Sequence, residues 1–370
     1  MSEKRQTEPY MAKYLHEKGR KLGLPISGNF ELTARCNFDC PMCYVHKKSQ
    51  DTEAIHKELT AQQWIDIAEK ARDKGMVFAL LTGGEPFVRK DFFEIYEAMK
   101  AMGLIVSINS NGSMLEGKIR EKLLENQPSR INISLYGGTN ETYQNMCGQP
   151  AFDKVVNNIR ALREGGVDVR LSLSITPYNR QDLKEIYEIS KELGVHVKAA
   201  SYMYPPIRIN GEQFGCAKRL SAQESGRCSV EWEKMRLEPD EFMKRCVSTK
   251  TMIEELSAKE MLDYGNKVAC RAGSSSFWMT WEGKMLPCGM FSYPCAYPLE
   301  DGFEQAWDKI LKETREIRLP EKCSNCAKRK VCGVCAAVCL TETGHFDGVP
   351  EYMCEKTDEM IRETIKQAFC

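Results

Sequence analysis

The sequence predicts an α/β chain: repeated strand and helix units over the first two hundred residues, followed by a smaller cysteine-rich unit. Two observations carry this expectation. Six strand-like segments alternate with segments of helical periodicity. The seventeen cysteines are also unevenly spread, four before residue 200 and thirteen after it. A core-filling role would scatter them more evenly.

Taken in order, "GNFELTA" (28–34) places Phe30, Leu32 and Ala34 on one face of a half-buried strand. It runs into "RCNFDCPMCY" (35–44), which holds Cys36, Cys40 and Cys43. Thr60 and Gln63 form a capping-box pattern ahead of Trp64, Ile67, Ala68 and Ala71 at helical spacing, and Gly75 marks the stop. The strand "MVFALLT" follows, then a helix carrying Phe92, Ile95, Tyr96 and Met99, Gly103 as stop, and the strand "LIVSIN". Further helices near 115–125, 152–164 and 180–193 lead to strands "RINISL" (130–135), "VDVRLSLSI" (167–175) and "VHVKAAS" (195–201). Strands separated by helices imply right-handed parallel crossovers. Two architectures compete, an open doubly wound sheet and a barrel with six of the eight units of a full one. In both, ligands gather at the C-terminal strand ends, where the cysteine triplet lies. Residues 1–27 read as an N-terminal extension, 28–210 as the core, 211–265 as a helical connector and 266–370 as the cysteine-rich unit.

Lys+Arg and Asp+Glu are equal at 52 each, so no global field draws nucleic acid. The N-terminus is charged, and the longest apolar run, "MVFALL" (76–81), is far too short to span a bilayer. A cytoplasmic protein without nucleic-acid or membrane partners is expected. In a reducing compartment so many cysteines point to thiolate ligation of metal rather than to disulfides. Three thiolates can hold three corners of a [4Fe–4S] cube and leave one iron open. Zinc is the alternative, although no histidine at ligand spacing completes a tetrahedral site.

The triplet resembles that of the radical S-adenosylmethionine (radical SAM) superfamily, whose CxxxCxxC loop follows the first strand of a partial (β/α)6 barrel. The resemblance continues in "TGGEP" (82–86), "NSNG" (109–112) and "SLYGG" (134–138), each closing a strand. It implies that Cys36, Cys40 and Cys43 hold a [4Fe–4S] cluster whose open iron is chelated by S-adenosyl-L-methionine (SAM). It further implies that Gly83, Gly84 and Glu85 line the SAM methionine, with Asn111 and Ser134 near the ribose and carboxylate. Met42 stands where the family often has an aromatic shield for the adenine. Cys147 stands where many relatives have an arginine, which leaves Arg170 as a candidate partner of the carboxylate.

From residue 270 the spacing resembles the SPASM extension, which carries two auxiliary [4Fe–4S] clusters. Cys323, Cys326, Cys332 and Cys354 would hold one. Cys270, Cys288 and either Cys335 or Cys339 would hold the other; its fourth ligand stays open between Cys246, Cys295 and a free iron site. Cys216, Cys228 and Cys370 read as free thiols. The implied function is oxidative modification of a peptide or protein side chain (crosslinking, epimerisation or oxidation) by a 5′-deoxyadenosyl radical. An external reductant such as a flavodoxin or ferredoxin would serve it, and Tyr136, Tyr202 and Tyr204 are candidate catalytic groups at the barrel mouth. Radical SAM oxidation or rearrangement of a small molecule is the alternative, and a non-catalytic iron–sulfur electron carrier a more distant one. Gly289 occupies the place where sulfatase maturases carry an aspartate base, which counts against that activity.

Overall fold

The computed structural model describes residues 10–45, 47–206, 208, 218–259 and 261–368; Cys216 and Cys370 lie outside them. Its centre is an eight-stranded sheet: β1 (Ser27–Glu31), β2 (Phe78–Thr82), β3 (Ile105–Ser110), β4 (Arg130–Ser134), β5 (Val169–Ser174), β6 (His196–Ala200), β7 (Ser276–Met279) and β8 (Met285–Leu286). The spatial order is β8-β7-β1-β2-β3-β4-β5-β6, and only the β7–β8 pair is antiparallel.

The order of the first six strands decides between the two architectures. A doubly wound sheet reverses direction at a switch point. Here the strands succeed one another without reversal, so right-handed crossovers put the connecting helices on one face. The other face lines a lumen, as in a partial (β/α)6 barrel, and burial follows the alternation. Ile131, Ile133, Val169, Leu171 and Leu173 are buried, whereas Arg130, Asn132, Ser134, Arg170, Ser172 and Ser174 are only half-buried. Asn132 Nδ2 donates to Asn109 Oδ1 at 2.8 Å across this polar face.

The helices bury the stripes that periodicity assigns to them. In Ala61–Asp73 the Thr60/Gln63 capping box forms in both directions, and Trp64, Ile67, Ala68 and Ala71 are buried. Phe92–Ala101 buries Phe92, Ile95, Tyr96 and Met99. Gly75 and Gly103, at φ +112° and +82°, supply the left-handed stops.

Two features have no clear signature in the sequence. β7 pairs in parallel with β1, Ser27 opposite Ser276, so the cysteine-rich part is sewn into the barrel edge. Phe277 is wholly buried there, edge-on to Phe30 at 5.8 Å and to Phe303 at 5.4 Å. Behind it Trp307 Nε1 donates to Gly23 O at 2.7 Å, and His16 of the N-terminal helix Tyr10–Leu22 meets Ser275 Oγ at 3.0 Å. The second feature is how the helical connector packs: its first helix, Ala222–Arg236, which precedes Pro239–Ser257, lies along the C-terminal helix Glu351–Gln367. This contact is close: a Cβ on Gly226 would stand 2.7 Å from Lys356 O. Small residues such as Ser225 and Gly226 make the interface, so the apolar periodicity is weak.

Because Phe277 joins the two parts through one apolar contact, Phe277→Ala is expected to cost about 3–5 kcal/mol. Anaerobic denaturant unfolding measures it, and a loss below about 1 kcal/mol would show that this joint does not hold the sheet edge.

Candidate active site

The loop that carries the triplet is held by backbone-to-backbone contact. Gly84 N donates to Thr33 O at 2.7 Å and Glu85 N to Arg35 O at 2.9 Å. A Cβ on Gly84 would lie 2.4 Å from Arg35 O, and one on Gly83, at φ +155°, 2.5 Å from Thr33 O. Only glycine fits at either place. Beneath this contact Glu58 accepts from Arg35 Nε at 2.7 Å, Arg35 Nη2 at 2.9 Å and Arg89 Nη1 at 3.3 Å, and from the Thr33 hydroxyl. Arg89 also donates to Leu32 O and Leu59 O, both at 3.0 Å. Sequence reasoning missed this network, whose members lie far apart in the chain with no shared motif.

Glu85 is wholly buried. Its carboxylate accepts from Ser110 Oγ at 3.0 and 3.1 Å, from Asn111 N at 2.7 Å and from Phe87 N at 3.3 Å. Burial pushes its pKa up to about 7 despite these donors. The carboxylate therefore clips the loop after β2 to the end of β3.

The three thiols cluster. Cys36 Sγ accepts from Phe38 N at 3.4 Å and Asn111 Nδ2 at 3.6 Å, and Asn111 is aimed by Asn37 Oδ1 at 2.9 Å and Ser113 Oγ at 2.7 Å. Cys43 N donates to Cys40 O at 3.1 Å. Burial, with the Glu85 charge and the two other thiols adding, pushes Cys36 up to about 12. Burial raises Cys43 to about 11, and Cys40 is raised first by its hydrogen bond with Cys147 and then by burial. Such thiols become thiolates only when a positive group replaces their protons. Among the described residues no three His, Cys, Asp or Glu side chains converge on a single ion. In a [4Fe–4S] cube each cysteine binds its own iron, and this donor set fits that group.

Other candidate residues divide between two places. Met42 packs on the core beside the triplet. Tyr136 is there too, between Phe38 and Tyr143, hydrogen-bonded to Ser134 and Cys40. Arg170 is not: it is the second residue of β5, opposite Asn132, with Asp168 at 3.7 Å, whereas the cysteines follow the C-terminal end of β1. Parallel register thus keeps it low in the barrel. Tyr202 and Tyr204 pack instead against the C-terminal cysteines. Tyr202 Oη donates to Glu342 at 2.7 Å, and Arg219 pairs with the same carboxylate at 2.9 Å while lying 3.7 Å from the Tyr352 ring.

The C-terminal cysteines form two sets. Cys270 and Cys288 are raised by burial, with Cys335 adding to both, and Tyr204 Oη lies 4.0 Å from Cys335 Sγ. Cys323 is raised by burial and then by Cys354 and Cys332, with Cys326 contributing. Cys339 is wholly buried in helix Ala336–Thr343 between the sets. Cys246 packs apart, against Val230 and Phe242. Cys228 belongs to the main core.

Between the triplet and the nearer C-terminal set stands buried Glu31. It accepts from Arg208 Nη2 at 2.7 Å, Arg208 Nη1 at 3.2 Å and Trp278 Nε1 at 3.0 Å. Arg208 lies 5.1 Å from the Tyr44 ring centre, and both Cys43 and Cys288 feel its charge. A cavity of about 490 Å³ opens here, lined by Glu31, Tyr44, Arg208, Thr280 and Phe291 among others.

Comparison with known proteins agrees with this geometry. Residues 30–193 match the family model of the Radical SAM superfamily. The chain is 26% identical over 333 residues to an AdoMet-dependent heme synthase of Methanosarcina barkeri, covering 86% of this chain and 93% of that protein. It is 29% identical over 271 residues to a probable GTP 3′,8-cyclase of Saccharolobus solfataricus, covering 72% and 84%. Streptococcus suis SuiB bound to its precursor peptide SuiA superposes with a TM-score of 0.67 at 18% identity, over 94% of this chain and 82% of SuiB. The structure of anSMEcpe with bound AdoMet gives 0.67 at 14%, over 93% and 98%. These likenesses show the fold. The cysteine loop and the glycine pair both lie within residues 30–193, the stretch that matches the Radical SAM superfamily, so this part of the chain is a radical SAM domain.

Proposed function

We propose that the protein is a radical SAM oxidoreductase with two auxiliary iron–sulfur clusters of the SPASM type, acting on a peptide or protein side chain in the cytoplasm. The carrying observation is the sorting of ten cysteines into three groups: Cys36, Cys40 and Cys43; Cys270, Cys288 and Cys335; Cys323, Cys326, Cys332 and Cys354. The first group leaves one iron of a cube for SAM. When bound, the cluster and SAM supply a 5′-deoxyadenosyl radical that takes a hydrogen atom from the substrate. This chain's residues position and enclose: Asn111 steers the Cys36 sulfur, Tyr136 covers Cys40, and the glycine pair lets the two loops touch. Cys335 is the better ligand for the nearer auxiliary group, since Cys270 and Cys288 both respond to it.

The peptide reading is supported by the fold shared with SuiB, solved with its precursor peptide, and with anSMEcpe, solved with peptides. A small-molecule reading has its own support in the relatives named heme synthase and GTP cyclase. Dialysis of a cell extract separates the two. Stimulation of 5′-deoxyadenosine release by the retained fraction supports a peptide or protein substrate, and stimulation by the diffusible fraction overturns it in favour of a small molecule.

Anaerobically reconstituted protein is expected to hold about twelve irons per chain, and a Cys36/Cys40/Cys43→Ala triple variant about eight. That variant loses reductant-dependent 5′-deoxyadenosine release. Zinc in place of iron, or no cleavage of SAM by the wild type, would overturn the proposal.

The Glu85 clip gives a pH dependence. Its folded pKa of about 7 lies above the ordinary 4.5, so the folded state binds a proton that the unfolded state has lost. Its contribution is favourable at acid pH and declines as pH rises from 4.5 to about 7, by on the order of 3 kcal/mol. Unfolding of cluster-free wild type and Glu85→Gln should therefore diverge across this window. Parallel curves would show that the carboxylate titrates normally.

A further inference from the structure

At the sheet edge opposite β8, the last strand of the barrel borders a second cavity of about 490 Å³. Its lining carries Lys198 from β6, Arg236 from helix Ala222–Arg236, Arg245 from helix Pro239–Ser257, and Lys330. Glu233 is the acidic residue in the lining, and Arg245 pairs with it at 2.7 Å. Lys198, Arg236 and Lys330 have no ion-pair partner among the described residues. The chain as a whole has no net charge, so this cationic groove is a local feature that orients a partner rather than a general attraction.

What lies under the groove indicates the partner. Lys330 and Val331 both line it and lead directly into Cys332, while Met360 and Ile361 line it from the helix that carries Cys354. Cys326, Cys332 and Cys354 are partly exposed, so this cysteine set approaches the surface beside the groove.

We propose that the groove is the docking surface for an acidic one-electron carrier protein. The proposal rests on the reading that Cys323, Cys326, Cys332 and Cys354 hold an iron–sulfur cluster. One electron leaves the carrier's reduced flavin, which is oxidised by one electron, and enters the cluster, which is reduced by one; no bond forms or breaks. Transient redox encounters use small interfaces guided by charge, which suits a groove of this size.

The test uses reconstituted holoenzyme and a reduced flavodoxin, followed by stopped-flow bleaching of the iron–sulfur absorbance. In the variant K198E/R236E/K330E the rate with flavodoxin at low salt should fall about tenfold or more, and its salt dependence should largely vanish. Reduction by photoreduced deazaflavin, a small donor, and the iron content should be unchanged. Since Lys330 lies two residues before Cys332, the double variant K198E/R236E gives the same reading if the triple variant loses iron. An unchanged flavodoxin rate in an iron-replete variant overturns the docking surface. Binding of a Glu-rich peptide at the groove without any effect on electron transfer also overturns it, assigning the groove to a peptide. A wild type that carries iron only on the triplet would remove the auxiliary-cluster reading itself, and the proposal with it, which the iron count distinguishes from a failure of docking alone.

Discussion

The mouth of the barrel depends on one contact, the backbone of the loop after β2 lying directly against the backbone of the loop after β1. Leu32 N reaches Thr82 O at 2.9 Å, then Gly84 N reaches Thr33 O, and the strand ladder is in effect prolonged past the sheet until it meets Arg35. No side chain can stand between them. The start of the cysteine loop is therefore placed by main-chain geometry, which a thiol-bearing loop of turns could not manage alone. The Arg35–Glu58–Arg89 group locks the contact from below with charges that are almost fully buried. Burying a carboxylate this deeply is tolerable only because two guanidinium groups and a hydroxyl satisfy it.

That rigidity has an electrostatic purpose. Packing three thiols against one another and against Glu85 disfavours their ionised forms, so the metal-free loop is an unfavourable home for thiolates. A positively charged group reverses the balance, because each thiolate it binds relieves repulsion among the others. The same reasoning applies to the two C-terminal sets, where burial leads and neighbouring thiols add. Arg208 is placed differently, as a fixed positive charge shared by Cys43 on one side and Cys288 on the other, with Glu31 limiting its strength.

Much of this was legible in the sequence because it is local. Strand alternation, the Thr60/Gln63 cap, the helical stripes and the triplet all need only neighbours within a few residues. The glycine pair was legible as a motif, although its physical demand, a carbonyl 2.4 Å from a Cβ that is absent, belongs to another loop. What stayed hidden is long-range. "SFWM" is too short to declare itself a strand, and it becomes one only because β1 offers a free edge. Tyr202 and Tyr204 follow the last barrel strand in sequence, which favoured the mouth, yet the aromatic and carboxylate partners that claim them lie more than a hundred residues later. Cys335 and Cys339 could not be separated by spacing, since a helix start intervenes. Cys335 caps that helix and stays outside it, whereas Cys339 is one turn in and wholly buried.

The parallel pairing of β7 with β1 gives the architecture its functional logic. It places Trp278 against Glu31 and so ties the segment leading to Cys288 to the strand leading to Cys36. The nearer C-terminal cysteines and the triplet are thus spaced by the sheet itself rather than by a hinge between two domains. Any motion that moved one relative to the other would have to break ladder hydrogen bonds, expose Phe277 and strand a buried carboxylate. Summed, these costs approach the order of the stability of a whole domain. Glu31 at the end of β1 and Thr280 just beyond β7, both in the lining of the cavity, are therefore held on paired neighbouring strands, and their separation is set by the ladder rather than by a loop.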